Sequence, residues 1–407
     1  MMHPRLLSLL LAVCSLTVAG CGLQNGHAFR EDVAFLAEHT DVIVLSGESG
    51  ENQVAVVPQM QGRIMTSTAR GAGGLSFGWM NRELIASGEF VEHINVFGGE
   101  DRFWLGPEGG QFSIFFEKGV PFDLEHWYTP APIDTEPFAL VRRTPNTASF
   151  MREMQLTNYS GTKFKLRVDR DIRLIEGEQA RAKLGFAPDD SLGFVAFESV
   201  NRLTNIGIDP WKKETGLLSI WILGMFNPSP QTTIVIPYRP GPVDELGPVV
   251  NDEYFGKIPD DRLIVDEDVI FFKGDGQYRS KLGLSPYRAR SVLGSYDALN
   301  KVLTIVRYNK PEDETDYVNS MWELQDKPYA GDVVNSYNDG PPAPGAEPMG
   351  PFYELETSSP AAALGPGQTI RHVHSTFHLQ GSEAALNVVA QEVLGVTLEK
   401  ITTAFSN

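Results

Sequence analysis

From residue 42 onward, apolar and polar residues mostly alternate along the chain, which is the period of a β-strand with one buried face. In the clearest example, residues 163–175, Phe164, Leu166 and Val168 share one side of the predicted strand and charged residues share the other. Clusters of Gly, Pro, Asn and Asp separate such segments. Strands are predicted at residues 42–45, 53–57, 63–68, 111–116, 149–156, 163–175, 194–201, 217–226, 232–237, 302–308, 352–357 and 369–379.

Helical spacing of apolar residues is clear in only two segments, residues 29–39 and 383–396. So many strands with so few helices favour a mainly β fold, a large antiparallel sandwich or barrel. A chain of 407 residues with 42% apolar content can bury a large core, in one very large domain or in two fused halves. Residues 338–349 are rich in Gly and Pro and predict a long loop that borders a functional site.

The first residues follow a different pattern. Arg5 precedes an apolar run from Leu6 to Val18, and small residues then lead to Cys21. This segment resembles a bacterial lipoprotein signal, whose cysteine is lipidated and becomes the mature N-terminus. An ordinary secretory signal with a chance cysteine is the alternative. We expect residues 1–20 to be a signal, residues 21–28 a tether, and residues 29–407 one β-sandwich domain.

The predicted lipid would hold the protein at a membrane of the cell envelope. Gly22 follows the cysteine, which is typical of sorting to the outer membrane in diderm bacteria. The formal net charge of −18 argues against a nucleic-acid partner, because phosphate binding needs basic patches. No Walker loop or Cys-x-x-Cys motif is present, and we predict no cofactor.

Two segments carry the most specific motifs. Residues 78–90 read Gly-Trp-Met-Asn-Arg-Glu-Leu-Ile-Ala-Ser-Gly-Glu-Phe and are followed by Asn-Val-Phe-Gly-Gly at residues 95–99, and residues 352–362 contain Glu-Leu-Glu-Thr-Ser-Ser-Pro. Together they resemble the aldose epimerases of the galactose mutarotase-like superfamily. The resemblance implies a super-β-sandwich that binds a sugar in a groove across one sheet, with Glu356 as the catalytic base.

The sequence departs from this family at two positions. Phe97 stands where epimerases carry a histidine, and residues 198–203 lack the histidine that supplies the catalytic acid. Two hypotheses follow. The protein is an exported enzyme that isomerises or otherwise processes a carbohydrate, or it is a non-catalytic glycan-binding or cell-envelope scaffold protein.

Mutarotation needs a base and an acid around the same sugar. Glu354 and Glu356 lie two residues apart on a predicted strand and therefore share a face. If the two carboxylates are close, repulsion raises one pKa and leaves an acid beside a base. His126, beside Trp127 and Tyr128, is the other candidate acid. The alternative for either glutamate is a structural ion pair with an arginine.

Sugar-binding residues are expected in the family motifs, in the glycine-flanked segment after them, and on two later strands. They are Asn81, Arg82, Asp101, Arg102, Trp104, Asn335, Tyr337 and His374. His374 shares its strand face with His372 and His378, but that row spans about 20 Å, too long for one metal ion. We predict no metal site there, and an exposed or groove-lining polar face is the alternative.

The lipoprotein signal is tested by Cys21→Ser, which should move the protein from the membrane fraction to the soluble fraction because no other apolar anchor is predicted. Cys14→Ser, in the apolar run of the signal, is the matched control and should leave fractionation unchanged. Membrane association of the Cys21→Ser protein equal to that of wild type would contradict the lipid anchor.

Overall fold

The computed structural model describes residues 26–343 and 345–406. The predicted signal, Cys21 and most of the tether lie outside the described residues. The strands are β1 (Ile43–Ser46), β2 (Gln53–Val57), β3 (Arg63–Thr68), β4 (Arg102–Gly106), β5 (Ala139–Thr144), β6 (Thr147–Thr157), β7 (Lys163–Leu174), β8 (Gly193–Asn205), β9 (Ser219–Phe226), β10 (Thr232–Pro237), β11 (Leu263–Val265), β12 (Val269–Lys273), β13 (Ser280–Leu284), β14 (Val292–Asp297), β15 (Val302–Tyr308), β16 (Val334–Asn338), β17 (Tyr353–Ser358) and β18 (Thr369–Gln380).

The helices are short apart from the first and the sixth. They are α1 (Phe29–His39), α2 (Arg82–Ser87), α3 (Ala131–Asp134), α4 (Gly177–Leu184), α5 (Val243–Leu246), α6 (Glu383–Leu394) and α7 (Leu398–Thr403), with single 3₁₀ turns at Pro58–Met60 and Leu124–His126. Within residues 26–343 and 345–406, none of the helices is long and apolar enough to cross a membrane.

The strands form three antiparallel sheets. Sheet A has ten strands in the order β11-β12-β10-β14-β15-β18-β8-β7-β6-β5, sheet B has five in the order β13-β16-β17-β9-β4, and sheet C has three in the order β1-β2-β3. Apolar side chains of sheets A and B pack together, as Leu166 and Leu203 do with Ile220 and Phe103. The predicted mainly β fold, a large antiparallel sandwich, is confirmed.

Alternation is strongest where a strand has one solvent-exposed face. Along β7, Phe164, Leu166 and Val168 are fully buried while the intervening charged residues are exposed, as predicted. Strands β4, β13 and β16 of sheet B are instead buried on both faces, and their sequences do not alternate. This is why β4, β13 and β16 were not predicted from the sequence. Strands β5, β11, β12 and β14 were missed as well.

The strand predicted at residues 111–116 is absent, because the backbone turns there. The Ser113 amide donates to the Gly110 carbonyl over 3.0 Å, and the Phe115 amide donates to Ser113 Oγ, also over 3.0 Å. Ile114, Phe115 and Phe116 are nonetheless buried, and Phe115 packs against Trp104 and Trp127. The apolar run therefore correctly indicated burial, while the strand conformation was wrong.

Both predicted helices are confirmed. α6 begins after Ser382, whose Oγ accepts a hydrogen bond from the Ala385 amide over 3.3 Å. It ends at Gly395, whose φ of +74° suits a residue without a Cβ. Its apolar face packs on the side of sheet A that faces away from sheet B, against Leu303 and Phe377.

A buried ion pair lies between the two large sheets. Arg170 of β7 donates to Asp101 Oδ1 over 2.6 Å, and both side chains are completely buried. The same guanidinium also donates to Asn201 Oδ1 over 2.7 Å and to the Asp101 carbonyl over 2.8 Å. Because every charged atom of Arg170 has left water, removing its carboxylate partner leaves an uncompensated charge.

We expect Asp101→Ala to lower the free energy of unfolding by about 3–5 kcal/mol, as measured by urea denaturation. Asp169→Ala removes a pair at the protein surface, where Asp169 accepts from Arg167 Nε over 2.8 Å. That control should cost less than about 1 kcal/mol, since exposed pairs contribute little. Equal losses for the two variants would contradict a structural role for the buried pair.

Candidate functional site

A cavity of about 220 Å³ opens on the face of sheet B that points away from sheet A. Strand pairing brings its wall together, because Tyr337 of β16 lies opposite Glu354 of β17, which in turn lies opposite Met225 of β9. Lys281 of β13 pairs with Tyr337 at one side, and Arg102 of β4 extends the neighbouring row at the other. Since alternate residues of a strand share a face, these side chains all point into the cavity.

Loops complete the cavity. The predicted loop at residues 338–349 contributes to the wall, so its position at a concave site is as expected. The lining residues are Ile94, Val96, Arg102, Trp104, Glu108, Leu124, Trp127, Trp221, Leu223, Met225, Phe255, Arg279, Lys281, Trp322, Tyr337, Asp339, Gly340, Pro342, Glu347, Met349, Phe352 and Glu354.

Glu356 is fully buried beside this cavity and holds Lys281 in place. Glu356 Oε2 accepts hydrogen bonds from Trp221 Nε1 over 2.8 Å and from Lys281 Nζ over 3.2 Å. The Lys281 ammonium also lies 4.7 Å from the centre of the Trp221 ring. The result is a buried lysine fixed between a carboxylate and an aromatic face.

Glu354 is the member of the predicted carboxylate pair that lines the cavity. Burial, followed by the neighbouring Glu356 carboxylate, raises the pKa of Glu354 well above its usual range, and Lys281 and Arg102 only partly oppose this. Glu354 therefore keeps its proton at pH values where an ordinary glutamate has lost it.

The pKa values of Lys281 and Glu108 are shifted by burial and by the charges around them. Burial lowers the pKa of Lys281, but Glu356, Glu108 and Glu354 together outweigh it, so the pKa is raised and the ammonium stays charged. Burial also raises the pKa of Glu108, while the Lys281 charge opposes the shift. A cation thus sits among three carboxyl groups in a site with little water.

Aromatic rings form one wall of the cavity. The Trp104 and Trp221 ring centres are 5.4 Å apart, and Trp322 stacks on Trp127 at 5.7 Å. The Arg102 guanidinium lies 4.2 Å from the centre of the Trp104 ring and donates to Asp134 Oδ1 over 2.9 Å. Burial lowers the pKa of Arg102, although the Asp134 carboxylate opposes the shift. Flat apolar faces therefore stand directly beside charged donors.

The structure brings six of the predicted site residues to this place, and one of them is the buried Glu356. Arg102, Trp104, Tyr337 and Glu354 line the cavity. Asn335 lies on the same face of sheet B as Glu356, its direct neighbour across the strands, and borders a smaller adjoining space with Lys281 and Trp221. The shared face of Glu354 and Glu356, which the period of two predicted, is confirmed by their registers.

Other predicted site residues lie outside the cavity. Asn81 caps α2, where its Oδ1 accepts from the Leu84 amide over 3.0 Å, and Arg82 forms an ion pair with Asp32. Asp101 points toward sheet A and pairs with Arg170. His126 Nδ1 lies 2.6 Å from Asp123 Oδ1 on a 3₁₀ turn whose neighbours, Leu124 and Trp127, do line the cavity.

The histidine row of β18 is buried between the sheets and is neither exposed nor groove-lining. His372 Nε2 and His374 Nδ1 lie 2.8 and 2.9 Å from Thr357 Oγ1, on the face of β17 opposite the cavity. Burial lowers the pKa of His372 to about 3 and that of His374 to about 4, so both are neutral at pH 7. His378 instead contacts Glu100, with 2.7 Å between Nε2 and Oε2. No metal-binding cluster of three or more His, Cys, Asp or Glu side chains occurs in residues 26–343 and 345–406.

Sequence reasoning missed several residues of the cavity. Lys281 lies in Ser-Lys-Leu-Gly-Leu, a segment without clear alternation, and only its pairing with β16 places it next to the carboxylates. Trp127 and Trp322 come from loops and offered no pattern. Trp221 could have been found, because it lies at a strand position that shares its face with Leu223 and Met225.

Comparisons with known proteins give one family and a set of similar folds. The model of a family described as "Family of unknown function (DUF6786)" matches residues 27–405. No curated protein matches the sequence. A putative aldose 1-epimerase from Escherichia coli K12 is 14% identical, with a TM-score of 0.47 over 84% of this chain and 98% of its own. A galactose mutarotase-like protein from Lactobacillus casei is 10% identical, with a TM-score of 0.48 over 84% of this chain and 100% of its own.

The raised pKa of Glu354 predicts how its replacement changes stability. A carboxyl group with a raised pKa in the folded state stabilises the fold below its ordinary pKa, and this contribution is lost as the pH rises through the raised value. Glu354→Gln keeps the uncharged form at all pH values. We expect its free energy of unfolding, relative to wild type, to increase by more than about 1 kcal/mol between pH 5 and pH 9, because one pKa unit corresponds to about 1.4 kcal/mol.

The measurement is urea denaturation of both proteins at the two pH values. Glu399→Gln, at an exposed position of α7, is the control and should show no such increase. A constant difference between Glu354→Gln and wild type across this range would show that Glu354 titrates normally.

Proposed function

This chain belongs to the family of unknown function DUF6786, and we propose that it binds a carbohydrate in the sheet B cavity and exchanges protons with it as a mutarotase-like enzyme. We also propose that it is exported and anchored to a membrane of the cell envelope through a lipid on Cys21. The observation that carries the enzymatic proposal is the position of Glu354 on the cavity wall, on the same strand face as Glu356, which is paired with Lys281. The pKa of Glu354 is raised there by burial and by Glu356.

The composition of the wall supports a sugar ligand. A pyranose has an apolar face of C–H groups and a rim of hydroxyl groups, so it needs flat apolar surfaces next to a few fixed polar groups. Trp104 and Trp322 offer such surfaces, and Arg102, Lys281 and Glu354 offer donors beside them. Mostly apolar pockets with few convergent polar groups are the usual form of small-molecule sites.

Proton transfer can be assigned to groups on the wall. In ring opening, an acid gives a proton to the ring oxygen while a base takes one from the anomeric hydroxyl. The bond between the anomeric carbon and the ring oxygen then breaks. Glu354 is the acid, because it holds its proton and lines the cavity. The Glu356 carboxylate helps to raise the pKa of Glu354 but is fully buried, so it acts as a positioning residue.

Glu108 is the base in this proposal. It lines the cavity, and the charges of Lys281 and Glu356 both affect its pKa, so it belongs to the same cluster. The raised pKa makes its ionised form a stronger proton acceptor than an ordinary glutamate. Reversal of the two transfers after rotation of the aldehyde group closes the ring as the other anomer.

A non-catalytic glycan-binding protein is the second candidate. One observation favours it. Both positions where the family carries a histidine hold other residues in this sequence, and no histidine is found among the described residues that line the cavity. A site that only binds needs the tryptophans and Arg102 but no proton donor.

Binding is tested by calorimetry of the full chain against a panel of glycans, with Trp322→Ala as the variant. Loss of the Trp322 stacking surface should lower the affinity for the tightest-binding glycan at least tenfold. Trp211→Ala is the matched control, because Trp211 packs against Phe164 in the core and does not line the cavity. Absence of binding by wild type to every glycan would reject both candidate functions.

Turnover is tested separately by NMR measurement of anomeric exchange. Glu354→Gln should bind sugar within about threefold of wild type but lower the exchange rate by roughly 10²–10⁴-fold, the usual contribution of a general acid. Glu399→Gln should leave the rate unchanged. Sugar binding without exchange above the spontaneous rate in wild type would favour the binding-protein alternative.

A further inference from the structure

The cavity has more apolar wall than a free sugar requires. Beyond Glu354, toward the start of β17, the side chains of Met225, Val96, Tyr337 and Phe352 form an apolar cluster with Trp79, against which Ile94 packs. Most of this cluster lines the cavity, on the opposite side of the carboxyl groups from the Trp104 and Trp221 rings. The carboxyl groups therefore lie between two apolar regions.

Strand register establishes this order. Along β17, Glu354 and Glu356 follow Phe352, and Ser358 comes after them on the same face. Ser358 pairs with Trp221, whereas Glu354 pairs with Met225, two rows away. At about 3.3 Å per residue, the rows of Trp221 and Met225 are separated by roughly 13 Å, more than the width of one sugar ring stacked on a tryptophan.

The apolar cluster continues to the protein surface. Leu124, Phe255 and Met349 line the cavity and are 63%, 44% and 41% exposed. Large apolar side chains that gather around an opening mark a site that an apolar group covers. A free sugar would leave them in water, because its hydroxyl rim gains nothing from aliphatic carbon.

We propose that the ligand is a carbohydrate that carries an apolar alkyl or aryl substituent on a ring hydroxyl other than the anomeric one, so that the anomeric hydroxyl stays free for the proposed proton exchange. The inference rests on the proposed function, because the sugar is placed between the tryptophans and the carboxyl groups. The substituent lies over Met225 and Phe352 and leaves the cavity between Leu124, Phe255 and Met349. The Arg279 guanidinium, 3.8 Å from the Phe255 ring centre, holds that ring at the opening.

The test compares the 6-O-methyl, 6-O-phenyl and 6-O-octyl ethers of the same hexose, at concentrations below the micelle threshold, by calorimetry with the full chain. Each fully buried methylene strengthens binding about fourfold. We expect the octyl or the phenyl ether to bind at least tenfold more tightly than the methyl ether. The stronger of the two identifies an alkyl or an aryl substituent.

The double variant Leu124→Ser/Met349→Ser should reduce this tenfold preference to less than threefold, because it weakens binding of the octyl or phenyl ether more than binding of the methyl ether. Ile208→Ser is the control, since Ile208 is 91% exposed and lies outside the cavity. It should keep the full preference. Retention of the preference in the double variant would overturn the placement of the substituent.

Two further outcomes separate this inference from the proposed function. If the methyl, phenyl and octyl ethers bind equally, the inference is wrong and sugar binding stands. If octanol binds as tightly as the octyl ether, the sugar contributes nothing, and the inference and the proposed sugar site both fail.

Discussion

The pairing of β17 with β16 on one side and β9 on the other is the constraint on which the site depends. Tyr353, Leu355 and Thr357 point into the space between sheets A and B, where they join the core or contact buried histidines. Glu354 and Glu356 point the opposite way. A shift of one residue would bury both carboxyl groups among apolar side chains and expose the core residues, so packing fixes the register of the site.

Charge in the cavity is organised by burial. Glu354 retains its proton and Lys281 retains its charge for related reasons, because each lies in little water next to Glu356. The arrangement keeps a proton donor beside a cation without an additional unpaired charge. Ion pairs on the other face of sheet B, such as Arg170 with Asp101, use the same burial for stability.

Much of the fold is local enough to predict. β2, β3, β10 and β15 occupy the predicted residues, and α1 does so as well. These four strands are buried on both faces, and runs of Val, Ile and Thr mark them. β4, β13 and β16 are also buried on both faces but contain almost no Val, Ile or Thr, so no local pattern marks them. Residues 111–116 show the converse: apolar residues reach the core from a turn.

For the site, the sequence by itself determined that Glu354 and Glu356 share a face, and that adjacent Asp101 and Arg102 must point to opposite faces of a strand. It did not determine which face holds the cavity. That choice, and the meeting of Lys281, Trp221 and Arg102 with the carboxyl groups, was decided by pairing between strands far apart in the chain. Such pairing depends on the packing of whole sheets, and no local pattern records it.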